Sequence, residues 1–344
     1  MERLMQVAMN GDQMTKPNRL PAIICFITLS WCHAASLDAQ DTLRCMFYNV
    51  ENFFDCHDNK EKDDEMFLPG GIYGWSEKRF RQKALSIAKV IMAAGEDKIP
   101  AVIGLCEVES RDAMEELIQR SPLSALEYEY VMTESPDKRG INIAMMYQRA
   151  KFRLLKATSI RIPLIDNGLP PTRDILHCCG MLGNKDTLDL LICHMPSRFG
   201  GADSQKARKY AFAKLRHAID SLSAIGRKNI MLMGDFNANA EETEKSLANK
   251  VLTNLISAEL KNTGSYKYHG RWETIDLIFV SSDLTKQTRP THVAKHGIFS
   301  APFLLERDDK YLGIKPFRTY YGMKYIGGFS DHLPVYADLV VTKN

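Results

Sequence analysis

The sequence predicts an α/β fold, and three observations carry that expectation. Helical and strand-like apolar patterns alternate through the middle of the chain. Two long stretches, residues 76–94 and 202–225, repeat their apolar side chains at helical spacing. A fully apolar run over 230–233 stops at Gly234 and is followed at once by Asp235, Phe236 and Asn237. A buried strand that ends this way delivers polar chemistry to the carboxyl edge of a sheet. Asp235 can accept a proton or hold a metal. Asn237, two residues further along an extended chain, can donate to an oxyanion. Gly, Asp and Asn also build ordinary turns, so the weight of this stretch depends on its company.

A chain of 344 residues is long enough for one large α/β domain or two ordinary ones. No internal repeat or low-complexity linker divides it, which predicts a single domain over 41–344. The 45% hydrophobic and 25% charged content is that of a soluble globular protein. A net charge of +3 is too mild to establish a polyanion partner, so any basic surface must be local.

Residues 1–40 read as a secretory leader. Lys16 and Arg19 precede a short apolar run over 20–31, too short for a membrane span, and Ala34, Ala35, Ser36 and Ala39 follow. Met14 is a plausible start, cleavage is expected near 39–41, and the mature chain is expected to be an exported (periplasmic or secreted) monomer. Cys32 is a candidate lipidation site, but Trp31 puts a bulky residue where a small one is needed. Six cysteines follow the leader, an even number that permits disulfides. Cys45, Cys106, Cys178, Cys179 and Cys193 lie in apolar strand-like runs, where cysteine serves as a small buried hydrophobe. No zinc-ligand spacing is present.

In chain order, residues 42–50 form a first core strand that ends in Asn49 and Glu51, again two apart. Residues 55–71 form an acidic, irregular loop without EF-hand spacing. The helix over 76–94 places Phe80, Ala84, Ile87, Ala88 and Ile91 on one face and stops at Gly95. Its basic residues, Lys83 among them, read as a solvent face. A short strand over 101–105 leads to Glu107, a third strand-end carboxylate, and Ser110 caps a helix over 111–120. Residues 135–147 read as a turn and then a strand, with Arg139 either a phosphate contact or a turn arginine. Runs over 173–181 and 187–193 form a hairpin. The second run ends in His194, beside a Pro/Ser/Arg/Gly-Gly loop that holds Ser197 and Arg198. The helix over 202–225 presents Ala211, Leu215, Ala218, Leu222 and Ile225, and the strand over 229–234 follows. Asp276 lies inside the apolar run 274–280, where a carboxylate is costly unless paired. Asp331 and His332 supply candidates for that pairing before a last strand over 335–341.

Collected, FYNVENFFD, GLCEVES, CHMPSRFGG, MGDFNAN, TIDLIFVS and FSDHLPV resemble, in this order, the endonuclease/exonuclease/phosphatase superfamily over about residues 42–341. The resemblance implies a four-layer α/β sandwich, with two mixed β-sheets packed face to face, helices outside, and a site where strands of both sheets end. It implies hydrolysis of a phosphoester by activated water with a hard divalent cation, Mg²⁺ or Mn²⁺. On that resemblance Glu107 is the principal metal ligand, with Asn49 and Asp331 nearby and Glu51 at a possible second position. His332, oriented by Asp276, contacts phosphate or takes a proton. Asp235 orients or deprotonates water, Asn237 holds the water or the oxyanion, and His194 meets the phosphate or the leaving oxygen.

One departure stands out. A long segment, 281–330, separates Asp276 from Asp331. Within it Arg318, Tyr320 and Tyr321 either grip a phosphate and stack on a base or form an extra hairpin that packs. The apolar stretch 299–305 would instead touch a lipid. The leading expectation is an exported nuclease acting on nucleic acid or another phosphodiester, with Arg139, Ser197, Arg198 and Arg318 as substrate contacts. The alternatives are a phospholipid or sphingomyelin phosphodiesterase, a small-phosphoester phosphatase, and a binding protein on an inherited scaffold.

Overall fold

A computed structural model describes residues 40–96, 98–198, 200–248, 251–256 and 263–342. The leader expected over 1–40, Cys32 included, lies outside them except for Gln40. The strands follow in chain order: β1 (Gln40–Phe53), β2 (Val102–Val108), β3 (Tyr128–Met132), β4 (Asn142–Gln148), β5 (Arg153–Ile160), β6 (Ile175–Met181), β7 (Thr187–His194), β8 (Ile230–Asp235) and β9 (Leu252–Asn254). After them come β10 (Tyr266–Tyr268), β11 (Arg271–Glu273), β12 (Asp276–Ser281), β13 (Thr291–Ile298), β14 (Leu305–Arg307), β15 (Ile314–Pro316), β16 (Tyr320–Tyr321), β17 (Lys324–Tyr325) and β18 (Val335–Thr342). The helices are α1 (Glu77–Ala94), α2 (Arg111–Gln119), α3 (Gly201–Ala224) and α4 (Ala240–Leu247).

Two six-stranded mixed sheets carry the fold, one ordered β13-β18-β1-β2-β4-β3 and the other β5-β6-β7-β8-β12-β9. β1 explains why its run is apolar on both sides. Leu43, Cys45 and Phe47 join the core shared with the second sheet, while Met46, Tyr48 and Val50 pack with α1 and α2. α3 covers the far face of the second sheet with Ala211, Phe212, Leu215, Ile219 and Leu222. The layers are therefore helix, sheet, sheet, helix, as the resemblance implies. The five strand cysteines are all buried, and every cysteine among the described residues is free.

The local signals worked where burial was high. Ser76 and Ser110 accept from the N–H groups of Arg79 and Ala113 at the starts of α1 and α2. All eight interior strands lie in runs the sequence marks. The four edge strands, β3, β5, β9 and β13, were not anticipated. An edge strand is only partly covered, so it keeps polar residues and loses the apolar signal; β5 has no fully buried residue. Two side chains depart from expectation. Ile225 is exposed beyond the end of α3. Lys83 is buried rather than solvated. Its Nζ donates to Thr319 Oγ1 at 2.5 Å and to the Phe329 carbonyl at 2.6 Å.

Gly104 of β2 faces side chains of β7 and β8 across the two sheets. A Cβ there would meet Ile192 Cγ2 at 3.1 Å and Met233 Cε at 3.2 Å. Gly104→Val is expected to wedge the sheets and lower stability by about 1–3 kcal/mol, read by urea unfolding; an unchanged midpoint would contradict this packing.

Candidate active site

The two parallel pairs determine where polar groups collect. β1 runs parallel to β2 and β7 parallel to β8, so each pair delivers both carboxyl ends to one edge. β12 and β18 run antiparallel to their neighbours and begin at that edge, where Asp276 pairs with Asp235 and Val335 with Phe47. Six strand ends thus bring together Asn49 and Glu51, Glu107, His194, Asp235, Asp276, and Asp331 with His332. Glu51, Glu107, His194, Asp235, Asp331 and His332 line a cavity of about 210 Å³.

The contacts run from sheet to sheet. His332 Nδ1 lies 2.8 Å from Asp276 Oδ2. Asn49 Nδ2 donates to Asp235 Oδ2 at 3.0 Å. The other Asp235 oxygen accepts the Asn237 N–H at 2.9 Å, and the Asn237 amide donates to the Met195 carbonyl at 3.0 Å. Asp235 Oδ2 also faces His194 Nε2 at 3.6 Å and His332 Nε2 at 3.8 Å. Asp235, Asp276 and His332 together could hold a metal ion, although the hydrogen bond between Asp276 and His332 already occupies one ring nitrogen.

Backbone strain marks the same edge. Glu51, Asn52, Glu107 and Asn237 take left-handed φ values of 52°, 53°, 64° and 46°. The β1–β2 ladder shifts register between Asn49 and Phe53, and the β2–β4 ladder between Cys106 and Val108. The second shift is a bulge that turns Glu107 out of the ladder and re-aims its carboxylate. Glu107 Oε2 accepts the Asn52 N–H at 2.9 Å, while Oε1 stands 3.9 Å from His194 Nε2, beyond hydrogen-bond range. Asn49 Oδ1 is engaged by the Glu51 N–H at 3.0 Å.

Electrostatics separates the two histidines. Burial alone would lower the His332 imidazole, but Asp276 above all, with Asp235 and Asp331, overrides it and holds the ring well above its ordinary value. Burial, reinforced by Arg173, Arg139 and His332, holds His194 well below, so that ring is neutral. Burial pushes the Asp235 carboxyl up to about 7 against the pull of His332. Burial lowers Lys83 to about 8.

The expected substrate contacts fall into two groups. Arg139 donates to Asn52 Oδ1 at 2.6 Å and stands 3.7 Å from Glu107 at the cavity wall, with Ser197 beside it. Arg198 also lines the cavity but is paired with Glu273. Arg318 is bound to Glu51 and Asp331, at 3.2 and 3.0 Å. Tyr320 packs in the core against Tyr73, and β16 and β17 form a small hairpin, so Tyr320 is not free to stack on a base. The apolar stretch 299–305 also packs inward, with Leu304 buried and Phe299, Phe303 and Leu305 against the same cluster. That stretch therefore does not itself supply the exposed apolar patch that a lipid reading needs.

Two lining residues carried no sequence signal as site residues. Tyr266 lies over His332 with ring centroids 4.8 Å apart. Arg173 donates to the Met195 carbonyl at 2.7 Å and to Asp137 at 3.2 Å. Both reach the cavity only through topology.

The profile of the Endonuclease/Exonuclease/phosphatase family matches residues 44–341. The chain belongs to that family. Solved structures agree at the level of the fold. An endonuclease/exonuclease/phosphatase family protein from Bacteroides thetaiotaomicron is 17% identical, with a TM-score of 0.55 over 88% of this chain and 96% of that one. A mannosyl-6-phosphatase from the same organism is 18% identical, with a TM-score of 0.54 over 87% and 99%. D. rerio TDP2 complexed with single-strand DNA product is 14% identical, with a TM-score of 0.54 over 87% and 98%. No curated protein matches.

Because Asp276 is the strongest influence raising His332, Asp276→Asn is expected to bring the His332 titration down by more than one pH unit, on the scale that one unit is about 1.4 kcal/mol. Histidine-ring NMR checks this, and an unmoved His332 resonance would contradict the pairing.

Proposed function

We propose that this chain is a divalent-metal-dependent phosphoesterase that hydrolyses phosphodiester bonds with activated water, most simply as an exported, monomeric nuclease. The observation that carries the reading is the cross-sheet set of Asp276, His332, Asp235 and Asn49 beside the open Glu107 oxygen. The export part rests on the sequence of the leader alone. No helix among the described residues is long and apolar enough to cross a membrane.

The donor set fits a hard cation. Glu107 keeps Oε1 outside hydrogen-bond range of its neighbour, and an amide oxygen such as that of Asn49 has a second lone pair. Glu107 and Asn49 would hold Mg²⁺ or Mn²⁺. The bound ion would neutralise phosphoryl oxygens that otherwise repel a nucleophile. The chain's own groups supply the rest. Asp235, fixed on one oxygen by Asn237 and on the other by Asn49, orients the attacking water and takes its proton. His332, charged and fixed by Asp276, directs Nε2 at a phosphoryl oxygen and stabilises the charge that builds there. Neutral His194 offers Nε2 to a second oxygen. Arg139, Ser197 and Arg173 flank the phosphate from the cavity wall.

Asp235→Asn and His332→Ala are each expected to lower kcat/KM about 100-fold or more, roughly 3 kcal/mol, in folded protein. The assay compares Mg²⁺-dependent product release from DNA, RNA and sphingomyelin side by side. Nucleic-acid cleavage lost in both variants supports the proposal. Turnover unchanged in either variant, or hydrolysis of sphingomyelin alone, contradicts it. Affinity for DNA or RNA should fall steeply with salt, about one power of salt concentration per phosphate neutralised; a flat response would count against nucleic acid.

A further inference from the structure

Asp276 and His332 are 56 residues apart and belong to different sheets, yet they meet at 2.8 Å. The sheet ladders do not fix this meeting by themselves. The ladder of β18 with β1 stops at Val335, so His332 lies before it. On the far side of β12, β9 pairs only with Phe279, Val280 and Ser281, which leaves the start of β12 without a ladder neighbour there. Backbone N–H groups at such a buried edge need another acceptor.

Ser265, fully buried just before β10, is that acceptor. Its Oγ accepts the N–H groups of Ile275 and Asp276 at 3.2 and 3.1 Å, which uses both lone pairs of the hydroxyl oxygen. Its carbonyl accepts the Leu333 N–H at 2.7 Å, and an isolated antiparallel bridge pairs Tyr266 with His332. Its own N–H donates to the Glu273 carbonyl at 3.0 Å. Gly264 permits this close approach, because a Cβ there would meet the Glu273 carbonyl oxygen at 2.5 Å. The His332 N–H is tied to the first sheet through Ser330, whose Oγ accepts it at 3.1 Å and donates to the Asn49 carbonyl at 2.7 Å. Ser265 supplies the link to the second sheet. One residue thus grips Asp276 with its side chain and the chain beside His332 with its carbonyl.

We infer that Ser265 is a positioning residue for the reaction: its hydroxyl fixes where the Asp276 carboxylate begins, its carbonyl fixes where His332 sits, and together they aim His332 Nε2 at the phosphoryl group. This rests on the role given to His332 above. Fully buried, Ser265 does not touch substrate and acts only through these two residues. Loss of its hydroxyl would leave two buried N–H groups without their acceptor and let Asp276 shift. A displacement of about 1 Å at a reacting group costs on the order of 100-fold in rate.

The test compares Ser265→Ala, Ser265→Cys, His332→Ala and the combined Ser265→Ala/His332→Ala variant in the full chain. Steady-state kinetics use DNA or RNA, whichever the wild type cleaves with Mg²⁺, and histidine-ring NMR follows the His332 Nδ1 signal without reference to turnover. Ser265→Ala is expected to lower kcat about tenfold or more, to leave KM within about twofold, and to shift the His332 signal. In the His332→Ala background the same change is expected to cost less than about twofold, because a residue that acts through His332 has nothing left to position. Ser265→Cys keeps nearly the same shape with a weaker acceptor and is expected to lower kcat about threefold or more. That arm decides the matter if Ser265→Ala does not fold. An unchanged kcat in the folded Ser265 variants, an unmoved His332 signal, or a loss that multiplies with that of His332→Ala each overturns the inference and leaves the role of His332 standing. Turnover unchanged in His332→Ala overturns that role and the inference with it.

Discussion

The hydrogen bond between His332 and Asp276 is the constraint on which the site depends. Asp276 starts a strand of one sheet, and His332 precedes a strand of the other. Their 2.8 Å contact ties the two sheets at the edge where both parallel strand pairs end. Asn49 and Asp235 repeat the tie 3.0 Å long. A buried carboxylate inside an apolar strand is costly alone. Here the cost is offset by an imidazole that the surrounding carboxylates hold in its charged form. Asp235, facing both histidines, then takes its properties from its place between the sheets rather than from its own strand.

The surrounding groups balance charge. Four acidic side chains, Glu51, Glu107, Asp235 and Asp331, line one small cavity with His194 and His332. Arg318 and Lys83 serve Glu51 and Asp331, while His332 faces Asp235. Glu107 accepts the Asn52 N–H on one oxygen, while Arg139 at 3.7 Å and His194 at 3.9 Å stand beyond hydrogen-bond range, which is why its other oxygen is where the proposed metal cation belongs. Strained backbone at Glu51, Asn52, Glu107 and Asn237 shows where the fold accepts local cost to aim these groups.

Legibility in the sequence followed burial. Interior strands such as β1 and β8 are apolar because both faces are covered, and they could be read directly. Edge strands such as β5 and β13 keep Lys, Arg, His and Ser and could not. The strand-end polar groups, Asp235 and Glu107 among them, were visible as candidates because polar residues directly after apolar runs are informative. Their mutual arrangement was not, since it depends on which strands run parallel. Lys83 misled for a related reason. Its spacing, three after Phe80 and four before Ile87, puts it beside the apolar face, but its charge reads as solvated and nothing in the pattern reveals that the 317–329 loop covers it. Tyr266 and Arg173 lay outside any pattern, since each reaches the cavity from an element far away in the chain.

The central claim is that the cross-sheet groups act as one unit. The most direct measurement is a double-mutant cycle on kcat/KM with His332→Ala, Asp235→Asn and the combined variant, on the best nucleic-acid substrate. The account predicts that the double variant loses about as much as the worse single one, the non-additivity of residues that share one step. Losses that multiply would show two independent contributions and contradict it.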